Sequence, residues 1–482
     1  MKLLNNIYSR VLYFAVVQLV VLCPLSLQAK NHIEDREGGV VKELFSKKNT
    51  VYTINYIHKF DDVITIPEGC ELVFKGGQLS GPIVFQNTKL SGDVNLKGSR
   101  LNGTVSNSCF NASWLCNADG VHDDSPCIND MISVCGNIVF PKGTYKLIEN
   151  FNPEGTVSAE FTTSIKAHVG IYKDNVSLIG EDGCVFATDK PLGTICVYSQ
   201  PNDISNSIRN VRIKNITFQV ANDGINFYEF MHTIKVIGVN KLEIENCKFE
   251  DFWGDAICLS HYGDSPSTGE RTRNMNVKIY NNLIIGGKSH NNRNGISIIS
   301  GQNVIIKNNV IKETSSPKMP GGIDIEPNNS AYTIDNIRIE KNCFDGIKGF
   351  VGAIGIVLLR DEAPARRIYI IGNQIKNSTY GIAVGITTQH STEQIVIKNN
   401  LVDANTTPYK FEGGGKSRNW IVKGNVFERY CPKEIPGDIE VKNLSMSRNK
   451  KKLYSLGGSR ECCCVSHNHI GDNRSLFYKS HS

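Results

Sequence analysis

The sequence predicts an all-β solenoid in which short parallel strands stack coil upon coil. Eight segments in its second half share one eight-residue pattern, with apolar residues at the first, third and eighth positions around a mostly polar stretch. The last six of these segments all carry asparagine at their sixth position. Alternation of apolar and polar residues is typical of strands. A repeat this small buries a core only by stacking on its neighbours.

The sixth position of the pattern is its most informative column. The segments are VRIKNITF (211–218), LEIENCKF (242–249), VKIYNNLI (277–284), VIIKNNVI (304–311), IRIEKNCF (337–344), IYIIGNQI (368–375), IVIKNNLV (395–402) and WIVKGNVF (420–427). The column's asparagines are Asn282, Asn309, Asn342, Asn373, Asn400 and Asn425. Asparagine tolerates the left-handed backbone of a tight bend, and its amide both donates and accepts hydrogen bonds. The column therefore predicts a left-handed turn residue here and a ladder of amides bonded from coil to coil.

A further short strand, often opened by glycine, follows most of these segments. These strands are GINF (224–227), AICLS (256–260), GISII (295–299), GIDIE (322–326), GIVLL (355–359) and GIAV (381–384). Each repeat then supplies three strands, one glycine-led and two flanking the asparagine turn. In GIDIE, alternation places the two isoleucines inside and turns Asp324 and Glu326 outward.

This arrangement resembles the right-handed parallel β-helix of pectate lyases and polygalacturonases, over roughly residues 117–430. Upstream, NADGVHDD (117–124), the Ser-Pro pair after it and IVFPKGTY (138–145) are similar to the start of the pectate-lyase-3-like superfamily. The resemblance implies a right-handed parallel β-helix with an N-terminal capping helix, and it implies that Asp123 and Asp124 are structural. Ser125 is expected to cap the helix, with Pro126 at its first position.

The chain divides into four predicted regions. Residues 1–29 read as a signal peptide, because a basic start precedes an apolar stretch of about 15 residues, which is short for a membrane span of roughly 20. We therefore expect a secreted or periplasmic protein with no stable membrane span after cleavage. Residues 30–115 form a Gly-rich β region, an accessory module or extra coils. Residues 116–445 form the β-helix domain, and residues 446–482 form a basic, irregular tail.

The charge and the cysteines of the chain indicate which partners and cross-links to expect. The net charge is +6, and most of it lies in the tail, so the near-neutral body gives no electrostatic case for nucleic-acid binding. The tail also holds Cys462, Cys463 and Cys464 followed by two histidines, at a spacing that matches no ordinary zinc site. The cysteines in or just before strands are expected to be small packed side chains rather than a disulfide framework. They are Cys184, Cys247, Cys258 and Cys343.

The resemblance implies a groove on the outer face of the glycine-led strands. When the family's outward strand positions are transferred to this sequence one strand at a time, they fall on Asn226, Cys258, Ser297, Asp324, Val357 and Ala383. Only one coil carries two carboxylates, so Asp324 and Glu326 are the candidate catalytic residues, and Asp255, just before its own strand, is a third. Two residues along a strand separate the Cα atoms by about 6.5–7 Å, which fits either retaining or inverting geometry.

Basic and histidine side chains surround this candidate site. The candidate substrate-binding residues are His261, His290, Arg293, Lys318 and Arg360. An acid and a base around a glycosidic bond, with cations binding acidic sugars, predict an exported glycoside hydrolase of the polygalacturonase-like type with a polysaccharide substrate. The Asn-Thr-Asp and Gly-His-Gly motifs of polygalacturonases are absent, and two alternatives stay open. One is a polysaccharide lyase in which Asp324 and Glu326 bind Ca²⁺; the other is a non-catalytic β-helix that binds glycan or forms surface structure.

Overall fold

The structure, a computed structural model, describes most of the chain after residue 30. The described ranges are 31–151, 166–199, 207–222, 224–261, 273–286, 292–314, 319–327, 332–358, 365–386, 391–412, 416–428, 440–442, 445–447 and 450–451. Regular structure in these ranges is almost entirely parallel β-strand. The exceptions are helix α1 (Val41–Leu44), helix α2 (Ser125–Val134) and a 3-10 turn (Ala112–Trp114). Neither described α-helix has the length and apolar character needed to cross a bilayer.

From residue 110 onward the strands form three columns. The pre-turn column contains Phe110–Asn111, Asn137–Phe140, Ser177–Gly180, Ile208–Lys214, Val239–Glu245, Asn274–Tyr280, Gly301–Lys307, Ile334–Glu340, Ala365–Ile371, Ser391–Lys398, Lys416–Arg418, Ile421–Lys423, Glu440–Lys442 and Ser445–Ser447. The post-turn column contains Asp119–Asp123, Gly143–Lys146, Cys184–Thr188, Thr217–Val220, Lys248–Glu250, Leu283–Gly286, Val310–Glu313, Cys343–Asp345, Val426–Phe427 and Lys450–Lys451. The glycine-led column contains Ala167–Ile171, Gly193–Tyr198, Ile234–Ile237, Ile257–Leu259, Ile296–Ile298, Gly321–Ile325 and Gly352–Leu358. Two long strands, Gln374–Ile386 and Leu401–Glu412, run through both of the last two columns.

Each strand pairs in parallel with the corresponding strand one coil later. Val277, for example, pairs with Val304, which pairs with Ile337. Such pairing places successive coils about 4.8 Å apart and directs one apolar residue of each coil into a shared interior. The chain is a right-handed parallel β-helix, as the sequence predicts.

The predicted asparagine ladder is present. The Oδ1 atom of Asn309 accepts from the backbone N–H and the Nδ2 of Asn282, at 2.9 and 3.0 Å. The same pair of bonds recurs at each step of the ladder, through Asn342, Asn373, Asn400 and Asn425. All six asparagines are buried. Their amides therefore satisfy one another inside the solenoid wall.

The left-handed turn residue, however, is not the ladder asparagine, and that part of the prediction is wrong. Positive φ occurs one position earlier, at Asn215, Asn246, Asn281, Asn308, Lys341, Gly372, Asn399 and Gly424. This preceding residue absorbs the bend, which leaves the next side chain aimed into the wall. A second column of residues with positive φ was not predicted. It stands one residue before each of the eight repeat segments, at Asn210, Lys241, Asn276, Asn303, Asn336, Arg367, Gln394 and Asn419.

Residues 31–105 form a smaller stack of parallel strands. The strands are Asn31–Glu34, Thr50–Ile54, Ile57–Lys59, Ile64–Ile66, Glu71–Phe74, Gln78–Ser80, Pro82–Gly92 and Arg100–Val105. Val51 pairs with Glu71 and Glu71 with Lys89, so these coils are shorter than those of the main solenoid. One cluster of buried hydrophobic residues extends from Val41 to Phe427. The Gly-rich region therefore has the form of extra coils on a shared core.

Helix α2 packs between the smaller stack and the main solenoid. Asp130 accepts from Arg100 Nε at 2.9 Å and from the backbone N–H of Leu101 at 2.8 Å. Ile128, Met131 and Ile132 are fully buried, as the apolar face predicts. The helix thus covers the last strand of the smaller stack and lies against the first coils of the solenoid.

The start of α2 differs by one residue from the prediction. Asp124, not Ser125, is the N-cap, so the proline is the second helical residue. The Asp124 carboxylate accepts from the backbone N–H groups of Asn117 (2.8 Å) and Ala118 (3.1 Å) instead of capping the helix. Its neighbour Asp123 accepts from other backbone N–H groups. Both acids hold the chain leading into the helix, which is the structural role expected of them.

One disulfide, Cys116–Cys127, links the segment before α2 to the first turn of the helix. Cys184, Cys247 and Cys258 are buried in their strands and are not disulfide-bonded. These strand cysteines are packed side chains, as predicted.

Candidate active site

Strand register identifies the outward residues of the glycine-led column. Lys235 pairs with Cys258, Cys258 with Ser297, and Ser297 with Asp324. Asp324 in turn pairs with Gly355. These side chains therefore follow one another along the outer face of the solenoid.

Two sequence assignments in this column are wrong. GINF forms no strand; the strand of that coil is Ile234–Ile237, so Lys235 occupies the place assigned to Asn226. One coil after Asp324, Gly355 occupies the place assigned to Val357. This second error is a shift of two residues along the strand. Such a shift keeps the same side chains on the same face, so the alternation of apolar and polar residues does not reveal it.

Asp324 lies at the centre of the column and is only 2% exposed. Its Oδ2 accepts from Asn294 Nδ2 at 3.0 Å, while its Oδ1 is buried with no hydrogen-bond partner in the part of the chain that the structure describes. Burial raises the pKa of Asp324 well above its usual range, and the nearby charges of Glu326 and Asp255 add to this effect. The side chain thus points outward from the sheet, as predicted, but in an environment that favours the protonated acid.

Glu326 follows the same strand, two residues beyond Asp324. It is partly buried, and its backbone N–H donates to Ile298 O at 3.0 Å, which fixes the chain at this point. Glu326 is the more exposed member of the predicted pair. The two carboxyls therefore occupy different environments on one face.

Asp255 is buried as well, but it is held as an anion. Its Oδ1 accepts from the backbone N–H of Asn294 at 2.9 Å and lies 3.6 Å from Arg293 Nε, and its Oδ2 lies 3.1 Å from His232 Nδ1. Burial opposes ionisation, but His232, Arg293 and the Asn294 N–H outweigh it and lower the pKa of Asp255 below its usual value. Asp255 and Asp324, which lie two coils apart, thus have pKa values shifted in opposite directions.

Asn294 joins these two acids, and the sequence reasoning missed it. Its backbone donates to Asp255, and its side chain donates to Asp324 and to Ser297 Oγ. Asn294 stands directly before a glycine-led strand, at the position that Asp255 occupies in the preceding coil, and this correspondence could have identified it as a site residue. His232 was missed because GINF was taken as the strand of its coil, so the position of His232 just before the actual strand, Ile234–Ile237, was not recognised.

The predicted substrate-binding residues are only partly brought together. Arg293 lies beside Asp255, and its guanidinium also contacts the Glu229 carboxylate. His261 follows its strand, at the end opposite Asp255, and its ring centroid is 3.8 Å from that of Tyr332. The predicted residues His290, Lys318 and Arg360 lie outside the described residues.

The predicted calcium alternative requires oxygen donors around Asp324 and Glu326. Ca²⁺ takes six to eight oxygen ligands. Within the described ranges, two groups of three or more His, Cys, Asp or Glu residues bring donor atoms within 4.8 Å of one another. One is Cys116, Asp124 and Cys127, whose two sulfurs form the disulfide; the other is His232, Asp255 and Cys258. Neither group contains Asp324 or Glu326.

Comparison with known proteins supports the fold. Residues 193–427, just under half of the chain, match the family model described as a right handed beta helix region. This match and the strand register confirm the right-handed parallel β-helix fold that the resemblance implies. A search of curated proteins gave no match.

Several solved structures are similar to the chain at low identity. One is the surface adhesin PfbA of Streptococcus pneumoniae, at 15% identity and a TM-score of 0.41, covering 71% of this chain and 92% of that one. Another is an exopolygalacturonase from Thermotoga maritima, at 13% identity and a TM-score of 0.41, covering 83% and 84%. A third is the A-module of the mannuronan C-5 epimerase AlgE6 of Azotobacter vinelandii, at 14% identity and a TM-score of 0.37, covering 72% and 96%.

Proposed function

We propose that this β-helix protein is an exported enzyme that hydrolyses a polysaccharide in a groove on the glycine-led column. The observation that carries the proposal is the environment of Asp324. Burial raises the pKa of this carboxyl well above its usual range, which favours the protonated acid, and its buried Oδ1 has no hydrogen-bond partner among the described residues. A neutral carboxylic acid with a free oxygen is the group that a glycosidase needs to protonate its leaving group.

The proposed chemistry divides two tasks between Asp324 and Glu326. Asp324 donates its proton to the glycosidic oxygen as the bond to the anomeric carbon breaks. Glu326, the more exposed carboxylate, either removes a proton from the attacking water or attacks the anomeric carbon itself. Their spacing along the strand is compatible with both routes, so the stereochemical outcome follows from the route taken.

The remaining polar residues hold these groups in place. Asn294 fixes the Asp324 carboxyl through its side chain and is itself anchored by the Asp255 carboxylate. Asp255, predicted as a third catalytic carboxyl, has its oxygens engaged by Asn294 and His232, which suits a positioning role. Arg293, which is paired with both Asp255 and Glu229, places a positive charge beside these acids. It suits a substrate that carries acidic sugars.

The second candidate, a polysaccharide lyase, would use the same groove. It needs a base that removes the proton next to a uronate carboxylate and a cation that neutralises that carboxylate. Arg293 could take the second role. The raised pKa of Asp324 favours its use as an acid rather than as a base, so we place hydrolysis ahead of elimination.

Export is the other part of the proposal. The predicted signal peptide over residues 1–29 supports it, and so does the Cys116–Cys127 disulfide, because disulfides persist in oxidising compartments. A polysaccharide substrate outside the cell is consistent with that location.

The test is incubation with a panel of plant and host polysaccharides that includes polygalacturonate and mannuronan. We expect new reducing ends without the ultraviolet absorbance of an unsaturated uronate; that absorbance would indicate a lyase instead. Because general acid–base catalysis contributes about 10²–10⁴-fold, Asp324→Asn and Glu326→Gln should each lower kcat at least ~100-fold.

The matched control is Asp345→Asn, which changes an acid on the post-turn column, where Asp345 accepts from Asn377 Nδ2. It should leave kcat unchanged. Full activity in both Asp324→Asn and Glu326→Gln would show that catalysis, if present, occurs elsewhere. Binding of a polymer without any cleavage would favour the non-catalytic glycan-binding alternative.

A further inference from the structure

A second group of chemically active side chains lies beside Asn294 and is not used by the proposed acid–base pair. His232, Asp255 and Cys258 come from two adjacent coils, and their donor atoms all lie within 4.8 Å of one another. All three side chains are buried, with Asp255 and Cys258 each 2% exposed. Nitrogen, oxygen and sulfur donors converge here in a space shielded from water.

His232 Nδ1 cannot make favourable hydrogen bonds to both of its close neighbours at once. Nδ1 lies 3.1 Å from the backbone nitrogen of Asp255 and also 3.1 Å from Asp255 Oδ2. An imidazole nitrogen has one in-plane direction in which it either donates or accepts. If Nδ1 accepts from the backbone N–H, its lone pair faces the carboxylate; if it donates to the carboxylate, its hydrogen faces the N–H. One of the two contacts is unfavourable in either tautomer.

A cation removes the repulsion between Nδ1 and Oδ2, because both atoms then direct lone pairs at the ion, at the cost of the hydrogen bond from the Asp255 N–H to Nδ1. Zinc–nitrogen and zinc–oxygen bonds of about 2.0–2.2 Å place two ligands of a tetrahedron roughly 3.4 Å apart. The observed separation of 3.1 Å between Nδ1 and Oδ2 is close to that value. The thiol sulfur of Cys258 completes a third corner within the same 4.8 Å limit.

We propose that His232 Nδ1, an Asp255 carboxylate oxygen and Cys258 Sγ form a binding site for a Zn²⁺-like transition-metal ion. The donor set selects this class of ion: thiolate and imidazole suit zinc and its neighbours, whereas Ca²⁺ and Mg²⁺ prefer oxygen alone. Three protein ligands leave one tetrahedral position for a further ligand. The site shares Asp255 with the proposed hydrolytic site, but it uses the Oδ2 atom, while Oδ1 accepts from Asn294.

The local charges suit a dication. Among the described residues, Asp255, Glu229 and Glu326 are acids close to Arg293, and Arg293 and Lys235 are cations beside Cys258. Binding of Zn²⁺ displaces the proton of the Cys258 thiol, which passes to solvent as the zinc–sulfur bond forms.

The test is direct metal binding by the purified full chain. To remove the thiols of the tail as a background, Cys462, Cys463 and Cys464 are replaced by serine in every protein compared. After removal of bound metal, Co²⁺ titration should give a sulfur-to-cobalt charge-transfer band and the visible bands of tetrahedral cobalt. Mass spectrometry should find about one Zn²⁺ per chain after reconstitution.

Cys258→Ser should abolish the charge-transfer band, and His232→Ala should weaken cobalt binding at least ~10-fold. The matched control is Cys196→Ser: Cys196 is also buried in the glycine-led column and pairs with Lys235, the residue that pairs with Cys258. It should leave both signals unchanged, and circular dichroism checks that each variant is folded.

The proposal is overturned if the parent protein binds neither Co²⁺ nor Zn²⁺. It is also overturned if Cys258→Ser keeps the charge-transfer band while Cys196→Ser loses it. The first outcome needs no variant, so it decides the question even if a substitution prevents folding. Neither result depends on whether a polysaccharide is cleaved.

Discussion

A single buried carboxyl, Asp324, links the stability of the protein to its proposed activity. Its folded-state pKa is raised by burial above the value near 3.8 of an exposed aspartate. A group of this kind stabilises the fold when protonated, and that contribution is lost as the pH rises through the folded-state pKa. The charge that appears on Asp324 at high pH therefore works against folding.

Asp324→Asn removes this titration while keeping the shape of the side chain. The amide oxygen can still accept from Asn294 Nδ2, so the hydrogen bond at this position is retained. We expect the variant to have a higher Tm than the parent at pH 8, by about 2 °C or more, and a smaller advantage at pH 5. Thermal unfolding at both pH values measures this. A variant that is less stable than the parent at pH 8 would show that Asp324 is ionised in the fold.

The residue scale also shows what sequence alone could predict about the site. Asp324 and Glu326 were found because two acids in one strand stand out in a column of uncharged residues. Asn294 and His232 were not found, because their roles come from contacts between coils. Asn294 donates to acids on the coil before and the coil after its own, and no spacing within one repeat encodes such a bridge.

At the scale of the repeat, two adjacent residues of the asparagine turn have two different roles, which the sequence analysis assigned to one residue. One residue takes the left-handed conformation, and the next directs its amide into the wall. Asn308 has φ 55°, and Asn309, next to it, is fully buried. The ladder was predictable because six amides recur in register. Which of the two positions takes the left-handed conformation was not predictable, because asparagine commonly occupies both positions.

Asn309→Ala should therefore be much more destabilising than Asn308→Gly. The alanine removes the acceptor of the buried Asn282 N–H and the donor to Ile279 O, at a cost of about 3 kcal/mol. Glycine at position 308 adopts a positive φ without strain and loses only an exposed side-chain bond to Asn281, so its effect should stay below about 1 kcal/mol. Denaturant unfolding, together with hydrogen exchange of the Asn282 amide, measures the difference. Equal effects of the two substitutions would contradict the assignment of the two roles.

At the scale of the whole molecule, one hydrophobic core serves both stacks of coils. The sequence predicted the main solenoid well, since its repeats share apolar positions and a ladder. It left residues 30–115 open between a module and extra coils, because their shorter coils carry neither feature. Pairing such as Val51 with Glu71 became visible only from the backbone. The α2 helix, anchored to Arg100 and Leu101 by Asp130, connects the two stacks.

This architecture predicts that the Cys116–Cys127 disulfide acts locally. In a solenoid each coil is stabilised mainly by its neighbours, so a change at one end need not spread along the axis. The bond joins residues 11 positions apart, and closing a loop of that length stabilises a fold by about 3 kcal/mol. Replacing both cysteines by alanine should speed hydrogen exchange in α2 and leave the amides of Asn342, Asn373 and Asn400 unchanged. Cys109→Ala, which removes a free and partly buried thiol just upstream, is the matched control and should affect neither region. Faster exchange of the ladder amides in the double variant would mean instead that the capping region and the distant coils unfold as one unit.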